Sequence, residues 1–336
     1  MHFSLAFVLS LSATAAAAPA TLVARAGRTS APSGCLTVGS SGTYKTVQAA
    51  VNALSTSSTS AQCIFIAKGT YKEQVYIQQL KSALTIYGQT ENTQDYSKNT
   101  VTITQGKSLS NSGSDNASAT LRAWTPNLKV YNINFVNTYG QGSQALALSA
   151  SATNQGYYAC QFKGFQDTVL AETGNQVYGQ CYIEGATDFI FGQNARAWFD
   201  GCTIGVLAAN LGFITANGRN SDSNPSYYVI NKSNVSAAAG NNVPNGAYYL
   251  GRPWKDYARV VFQETSLSSV INSQGWTTWN GNASSTDHAL FGEYQNTGSG
   301  ASTTRASYGQ QLSAPLTVDT ILGSDYKTWV DTSYLS

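Results

Sequence analysis

The chain has 336 residues, of which 42% are hydrophobic and 11% charged, with a formal net charge of +2. That is enough apolar material for a substantial core in one large domain or two small ones, and the near-neutral balance excludes nucleic acid or an anionic membrane as a general partner. The charged fraction is well below the roughly 25% usual in soluble proteins, but Tyr, Ile, Val and Trp recur along the whole mature chain, which excludes disorder.

Phe3 to Leu11 is an apolar stretch followed by Ala15 to Ala18, the pattern of a secretory signal over residues 1–18. Residues 19–33 are rich in Ala, Pro, Ser and Thr and are expected to form a flexible leader. No later linker divides the chain, so 34–336 is expected to be a single domain of an extracellular protein. No later apolar run reaches the length of a membrane span. Four N-x-[ST] sites, at Asn116, Asn231, Asn234 and Asn282, fit a secreted glycoprotein. Within 44–54, Val47, Ala50, Val51 and Leu54 share one face of a helix. Short β-rich runs follow at 64–67, 74–77, 84–87 and 101–104.

A phrase then recurs: YNINF, YYACQF, VYGQCYI, WFDGCTI, VINKSNV and VFQETSL. With Ile133, Cys160, Cys181, Cys202, Ser233 and Thr265 as equivalents, the intervals are 27, 21, 21, 31 and 32. A minimal coil of 21 residues with insertions predicts an all-β right-handed parallel β-helix. The insertions become loops on one face, where sites tend to lie. The helix at 44–54 would cap one open end, and the tail from Thr317, with Trp329, would pack along the outside. Of the five cysteines, Cys35 and Cys63 can join two early strands. Cys181 can pair with Cys160 or with Cys202, or all three can stay a buried ladder of thiols.

Asp167 and Asp188 are also 21 residues apart, each seven after its own cysteine. In a stacked coil they become vertical neighbours, about 4.8 Å apart along the axis. Two carboxyl groups so placed resist double ionisation, as two-carboxylate chemistry requires. The same count puts Ala209 at the next position. Other chemistries lack their residues. His288 is the only histidine beyond the signal, so no multi-histidine metal site can form. There is no zinc-spaced cysteine pair, no G-x-S-x-G elbow and no Walker or dinucleotide loop. An enzyme built from this chain would work without metal or cofactor.

Several segments, in order, carry a resemblance: GTYKE (69–73), SQALAL (143–148), GFQDTV (164–169), DFIFG (188–192), LGRPW (250–254) and GWTTWNG (275–281) followed by FGEYQNTGSG (291–300). Together they resemble the pectin methylesterases, or pectinesterases, in a fungal form without an inhibitor-like pro-region. The resemblance implies a parallel β-helix with its cleft on the outer face, acting as a monomer on methyl-esterified homogalacturonan and releasing methanol. It implies Asp188 as nucleophile, Asp167 as general acid/base and Gln166 as oxyanion stabiliser. Gln144 would position the tetrahedral intermediate, and Arg252 would hold the nucleophile. Trp254 and Trp279 would contact the sugar chain. Phe165 stands where the family commonly has Tyr and is a further candidate contact.

The residue types suit these roles. A guanidinium favours an ionised Asp188, and a neighbouring negative charge keeps Asp167 protonated. Glutamine amides can steady an oxyanion without competing for protons. Taken singly, each residue has an ordinary reading: an Asp in a polar loop caps a turn, and an Arg beside a Trp forms a surface stack. It is the ordered set that favours chemistry. A lyase would need an acidic calcium cluster and a basic proton abstractor. A polygalacturonase would need a third Asp and a cleft His. A non-catalytic wall-binding protein would need a degenerate Asp–Asp–Arg set.

Overall fold

A computed structural model describes residues 26–302 and 304–336; the signal segment 1–18 lies outside them. The chain winds as a right-handed parallel β-helix, every strand pairing with its counterpart one coil away. Three sheets run along the axis. The first, here the site sheet, stacks Val75–Ile77, Leu121–Ala123, Leu148–Ser151, the start of Val169–Gly179, Ile190–Gly192, Gly212–Asn217 and Tyr248–Pro253. The second, the tail sheet, runs from Leu36–Val38 to Gly309–Gln311 and includes the end of Val169–Gly179. The third runs from Gly69–Lys72 to Ser266–Leu267.

The repeat follows the sequence phase. The residues just after Ile133, Cys160, Cys181, Cys202, Ser233 and Thr265 pair in one ladder, Asn134 with Gln161, Tyr182, Thr203, Asn234 and Ser266 in turn. The residue before each equivalent turns the corner with a positive φ, as at Asn132 (56°), Gln180 (52°) and Gly201 (59°). Asn and Gly tolerate that region; Ala159 (46°) and Lys232 (46°) hold it at a cost of about 1–2 kcal/mol each. Inside, large aromatics stack coil on coil, with Tyr178 5.1 Å from Tyr157 and 4.4 Å from Phe199.

Cys160, Cys181 and Cys202 are free and buried. Each Sγ meets a carbonyl of an earlier coil, Cys181 reaching the Tyr157 oxygen at 3.3 Å and Cys202 the Tyr178 oxygen at 3.2 Å. The ladder of thiols is therefore the arrangement adopted. Cys35 and Cys63 are joined by a disulfide.

The capping helix is shorter than its apolar pattern, spanning Val47–Asn52. Thr46 accepts from the Ala49 amide, and the Glu73 carboxylate accepts from the Val47 and Gln48 amides at 2.8 and 2.9 Å. These acceptors satisfy the exposed helix start. The tail does pack outside. Ile321, Leu322, Trp329, Val330 and Tyr334 cover Tyr131, Tyr158, Val177 and Trp198 on the tail sheet.

Two expectations change. Residues 26–33 were assigned to a flexible leader, but Arg28 pairs through its backbone with Thr90, bonds Asn132 at 3.1 Å and lies 4.6 Å from the centre of the Tyr87 ring. Cation–π contact and strand pairing pin this stretch. The Asn231 sequon is buried, and its amide donates to Asp200 at 2.9 Å.

At the far end a buried ion pair shapes the segment that returns toward the site. Arg305 donates to both oxygens of Glu293, at 2.7 and 2.9 Å, and the Trp276 indole donates to the same carboxylate at 3.2 Å. Both charged side chains are about 5% exposed or less. Arg305→Ala would strand a buried carboxylate and should cost about 3–5 kcal/mol, read by denaturant unfolding. A change below 1 kcal/mol would show that water reaches Glu293.

Candidate active site

The turn from the third sheet into the site sheet is where the two aspartates stand. Gln166 bridges Thr187, the Asp167 amide donates to the Thr187 carbonyl at 3.0 Å, and Val169 pairs with Ile190. Asp167 and Asp188 are therefore one coil apart, about 4.8 Å along the axis. Both hold positive φ, 62° and 49°. Asp is among the few side chains that enter this region readily. On the next coil the equivalent position is Phe213, not Ala209, because the chain first loops out through Leu211, which is 55% exposed.

Two insertions wall this turn. One runs from 106 to 120 and contains the short helices Leu109–Ser112 and Asp115–Ser118. The other is the 275–287 loop. Between them the outward residues Leu146, Leu170, Phe191 and Ala216 make an apolar floor, against which Trp254 and Trp279 pack. The half-open cleft they form has a volume of about 240 Å³. Gln144, Gln166, Asp167, Asp188, Arg252, Trp254 and Trp279 all line it.

Arg252, in Tyr248–Pro253, grips Asp188 with two parallel bonds, Nε to Oδ1 at 2.9 Å and a terminal nitrogen to Oδ2 at 2.7 Å. Its guanidinium is sandwiched between Phe213 (3.9 Å) and Trp279 (4.3 Å) and also donates to Asn280 at 3.3 Å. This is bidentate, stacked recognition that Lys cannot reproduce. Among the described residues the Asp167 carboxyl and the amides of Gln144 and Gln166 make no hydrogen bond, so they are free to meet a ligand.

The two acids sit in different fields. Burial, then the charges of Asp188 and Asp115, push Asp167 well above the usual carboxylate range, with Arg252 opposing weakly. Burial also raises Asp188, and Arg252 pulls it back through hydrogen bonds and charge. Arg252 thus acts with the expected sign, but burial outweighs it. What separates the pair is that Asp188 alone is held by the guanidinium. Such a site can keep one carboxylate charged and one protonated.

Phe165 is placed otherwise. It packs against the interior core and does not line the cavity. Phe165 turns inward, whereas the next two residues, Gln166 and Asp167, both face the cleft. Sequence reasoning missed Asp115 and Asn280. Asp115 lines the cavity, its pKa is raised by burial, and its Oδ1 is buried with no partner. Its only signal was a lone acid in a Ser/Asn-rich loop. His288 stacks on Tyr257 at 4.5 Å and does not line the cavity, so the third Asp comes without a cleft histidine.

Comparison with known proteins follows this geometry. A family profile described as Pectinesterase matches residues 35–313. A pectinesterase of Aspergillus aculeatus is 56% identical over 92% of this chain and 95% of its own length. The crystal structure of the pectin methylesterase from Aspergillus niger, deglycosylated, superposes with a TM-score of 0.86 at 45% identity, covering 92% of this chain and all of that one. Carrot pectin methylesterase superposes at 0.79 with 29% identity, covering 91% of this chain and 98% of its own.

Proposed function

The chain belongs to the pectinesterase family, and from that premise we propose that Asp188 is the nucleophile and Asp167 the general acid/base in hydrolysis of methyl-esterified homogalacturonan. Asp188, charged and oriented by Arg252, attacks the ester carbonyl. The carbonyl oxygen becomes an oxyanion, which the free amides of Gln144 and Gln166 steady. Asp167 gives its proton to the departing methoxide, which leaves as methanol. Now a carboxylate, it takes a proton from water, and the hydroxide cleaves the acyl-enzyme. Asp188 is restored and the galacturonate is free. Trp254 and Trp279 offer faces to the sugar rings.

One observation carries this reading: two buried carboxyls on successive coils, of which only Asp188 is gripped by Arg252. Methanol release from methylated pectin tests it. Gln166→Ala should fold normally and lose about 10²–10³-fold in kcat, the usual effect of one oxyanion donor. Full activity in that variant would remove Gln166 from the mechanism. New reducing ends from unmethylated substrate would point instead to chain cleavage.

The remaining assignments belong to the same proposal. Residues 1–18 direct secretion, the described chain works as a single domain that includes the pinned stretch 26–33, and it acts as a monomer on extracellular pectin. Asn234 and Asn282 are exposed and Asn116 half-buried, so these three sequons, rather than Asn231, would carry glycans.

A further inference from the structure

The short helix Asp115–Ser118 is bolted to the wall of the cleft by side chains from several directions. The Ser114 hydroxyl accepts from the Ala117 amide at 3.1 Å. The Ser118 hydroxyl accepts from the Leu146 amide at 3.2 Å and donates to the Asp115 carbonyl at 2.7 Å. Gln74 donates to the Ala117 and Ala119 carbonyls, both at 2.7 Å. The Asn116 oxygen accepts from the Trp124 indole at 3.0 Å and from Ser149 at 2.9 Å. These bonds fix Asp115 in the cleft that Asp167 and Asp188 also line.

What they hold there is an acceptor without a donor. The Asp115 carboxyl receives no hydrogen bond from any described residue, and its Oδ1 is buried. Leaving such a group unmet costs about 1–3 kcal/mol, and native structures keep few of them. An ionised carboxyl only accepts, so it cannot steady an oxyanion. It suits an O–H group that arrives during the reaction.

The second half of the proposed reaction brings one. Methanol has left, and Asp188 is acylated and has lost its charge. The attacking water carries two O–H bonds. One is directed at Asp167, which takes that proton. The other needs an acceptor while the oxygen lone pair faces the acyl carbon. Arg252 only donates, and the amides of Gln144 and Gln166 serve the oxyanion. Asp115 is then the one carboxyl lining the cleft, apart from the base, that can accept.

We propose that Asp115 orients the water that frees the acyl-enzyme, accepting its second O–H while Asp167 takes the proton of the first. The inference rests on the esterase reading of the cleft. Asp167 gains one hydrogen, the hydroxyl joins the galacturonate carbonyl carbon, and the bond from that carbon to Asp188 breaks and restores the Asp188 carboxylate. Asp115 holds the water and moves no proton.

The test compares Asp115→Ala and Asp115→Asn with wild type on a methylated oligogalacturonate. Both variants remove the charge, and only asparagine keeps an acceptor. Alanine should lower kcat for methanol release about 10–100-fold, the worth of one hydrogen bond to a charged group. Asparagine should lose much less. KM should fall with kcat, so that kcat/KM, which reports the steps up to methanol release, is nearly unchanged. On rapid mixing the alanine variant should release about one methanol per enzyme in a burst, and the galacturonyl adduct should accumulate in the intact mass. Its melt should be no lower than that of wild type, since an unmet buried carboxyl has been removed. Equal losses in the two variants would mean that Asp115 acts by charge alone. A raised KM at unchanged kcat would make it a contact for a sugar hydroxyl. Either result, or the lack of a burst, would overturn the proposal and leave the esterase reading standing. A wild type that releases no methanol would overturn both.

Discussion

Asp188→Ala should lower kcat for methanol release by about 10⁴-fold or more, because it removes the atom that forms the covalent bond. Neither Gln166 nor Asp167 can substitute: one is a neutral amide, and the other is an acid pushed toward its protonated form. The fold should survive, since the stack does not depend on this carboxylate. Alanine at a φ of 49° carries a backbone cost of about 1–2 kcal/mol. Asp188→Asn, which tolerates that conformation, is therefore the companion variant. It keeps the shape, cannot act as a charged nucleophile and should be equally inactive. Both are checked by methanol release beside a thermal melt. Retention of more than about 1% of the wild-type rate in either would remove Asp188 from the nucleophile's place.

Asp167→Asn should cost about 10²–10⁴-fold in kcat, the usual contribution of a positioned proton donor. It should also leave two signatures in pH. The wild-type kcat/KM should be bell-shaped, rising as Asp188 ionises and falling as Asp167 loses its proton. Both groups are raised from their ordinary value of 3.8, so the whole profile is displaced upward from that of free carboxylates. In the variant the falling limb should vanish. The second signature is in stability. Above the ordinary carboxylate pKa, the unfolded chain has released the Asp167 proton while the folded chain still holds it. Stability is thus lost as pH rises from about that value through the raised one. Asparagine has no such penalty. The variant should therefore melt higher than wild type near neutral pH, by about 2–4 °C per kcal/mol relieved, and the gain should disappear below pH 3.8. An unchanged rate would refute the acid assignment; an unchanged melt at neutral pH would refute the burial argument.

The repeat was legible because a turn through positive φ recurs once per coil and fixes the phase of everything after it. Asp167 and Asp188 were legible as neighbours for the same reason, as no insertion separates them. The count failed one coil later, where the loop through Leu211 moves Phe213 into place. Arg252 lies 64 residues from its partner across two insertions, so only its motif pointed to it, and no periodicity could. Asp115 sits on a wall whose path the coil does not dictate, which left it indistinguishable from a capping residue. Phe165 packs on the core, which was not legible because a coil count fixes which residues stack on one another, not which residues of a turn face the cleft. The apolar outer residues Tyr131, Tyr158, Val177 and Trp198 break strand alternation because the tail covers them.

The coil that joins the two aspartates has the minimal length of 21 residues, as does the coil from Leu148 to Val169 before it, and the insertions that build the walls lie further along the stack. Chemistry and recognition therefore occupy separable parts of the chain. The distance between the reacting acids is set by hydrogen-bonded pitch, which a longer or shorter wall leaves alone. Exchanging the 106–120 or 275–287 segment for one of another length and charge would retune which methyl-ester patterns are accepted while the acid pair keeps its spacing. The fold thereby leaves its specificity open to redesign in pieces, with the acid pair held by a minimal coil that carries no insertion.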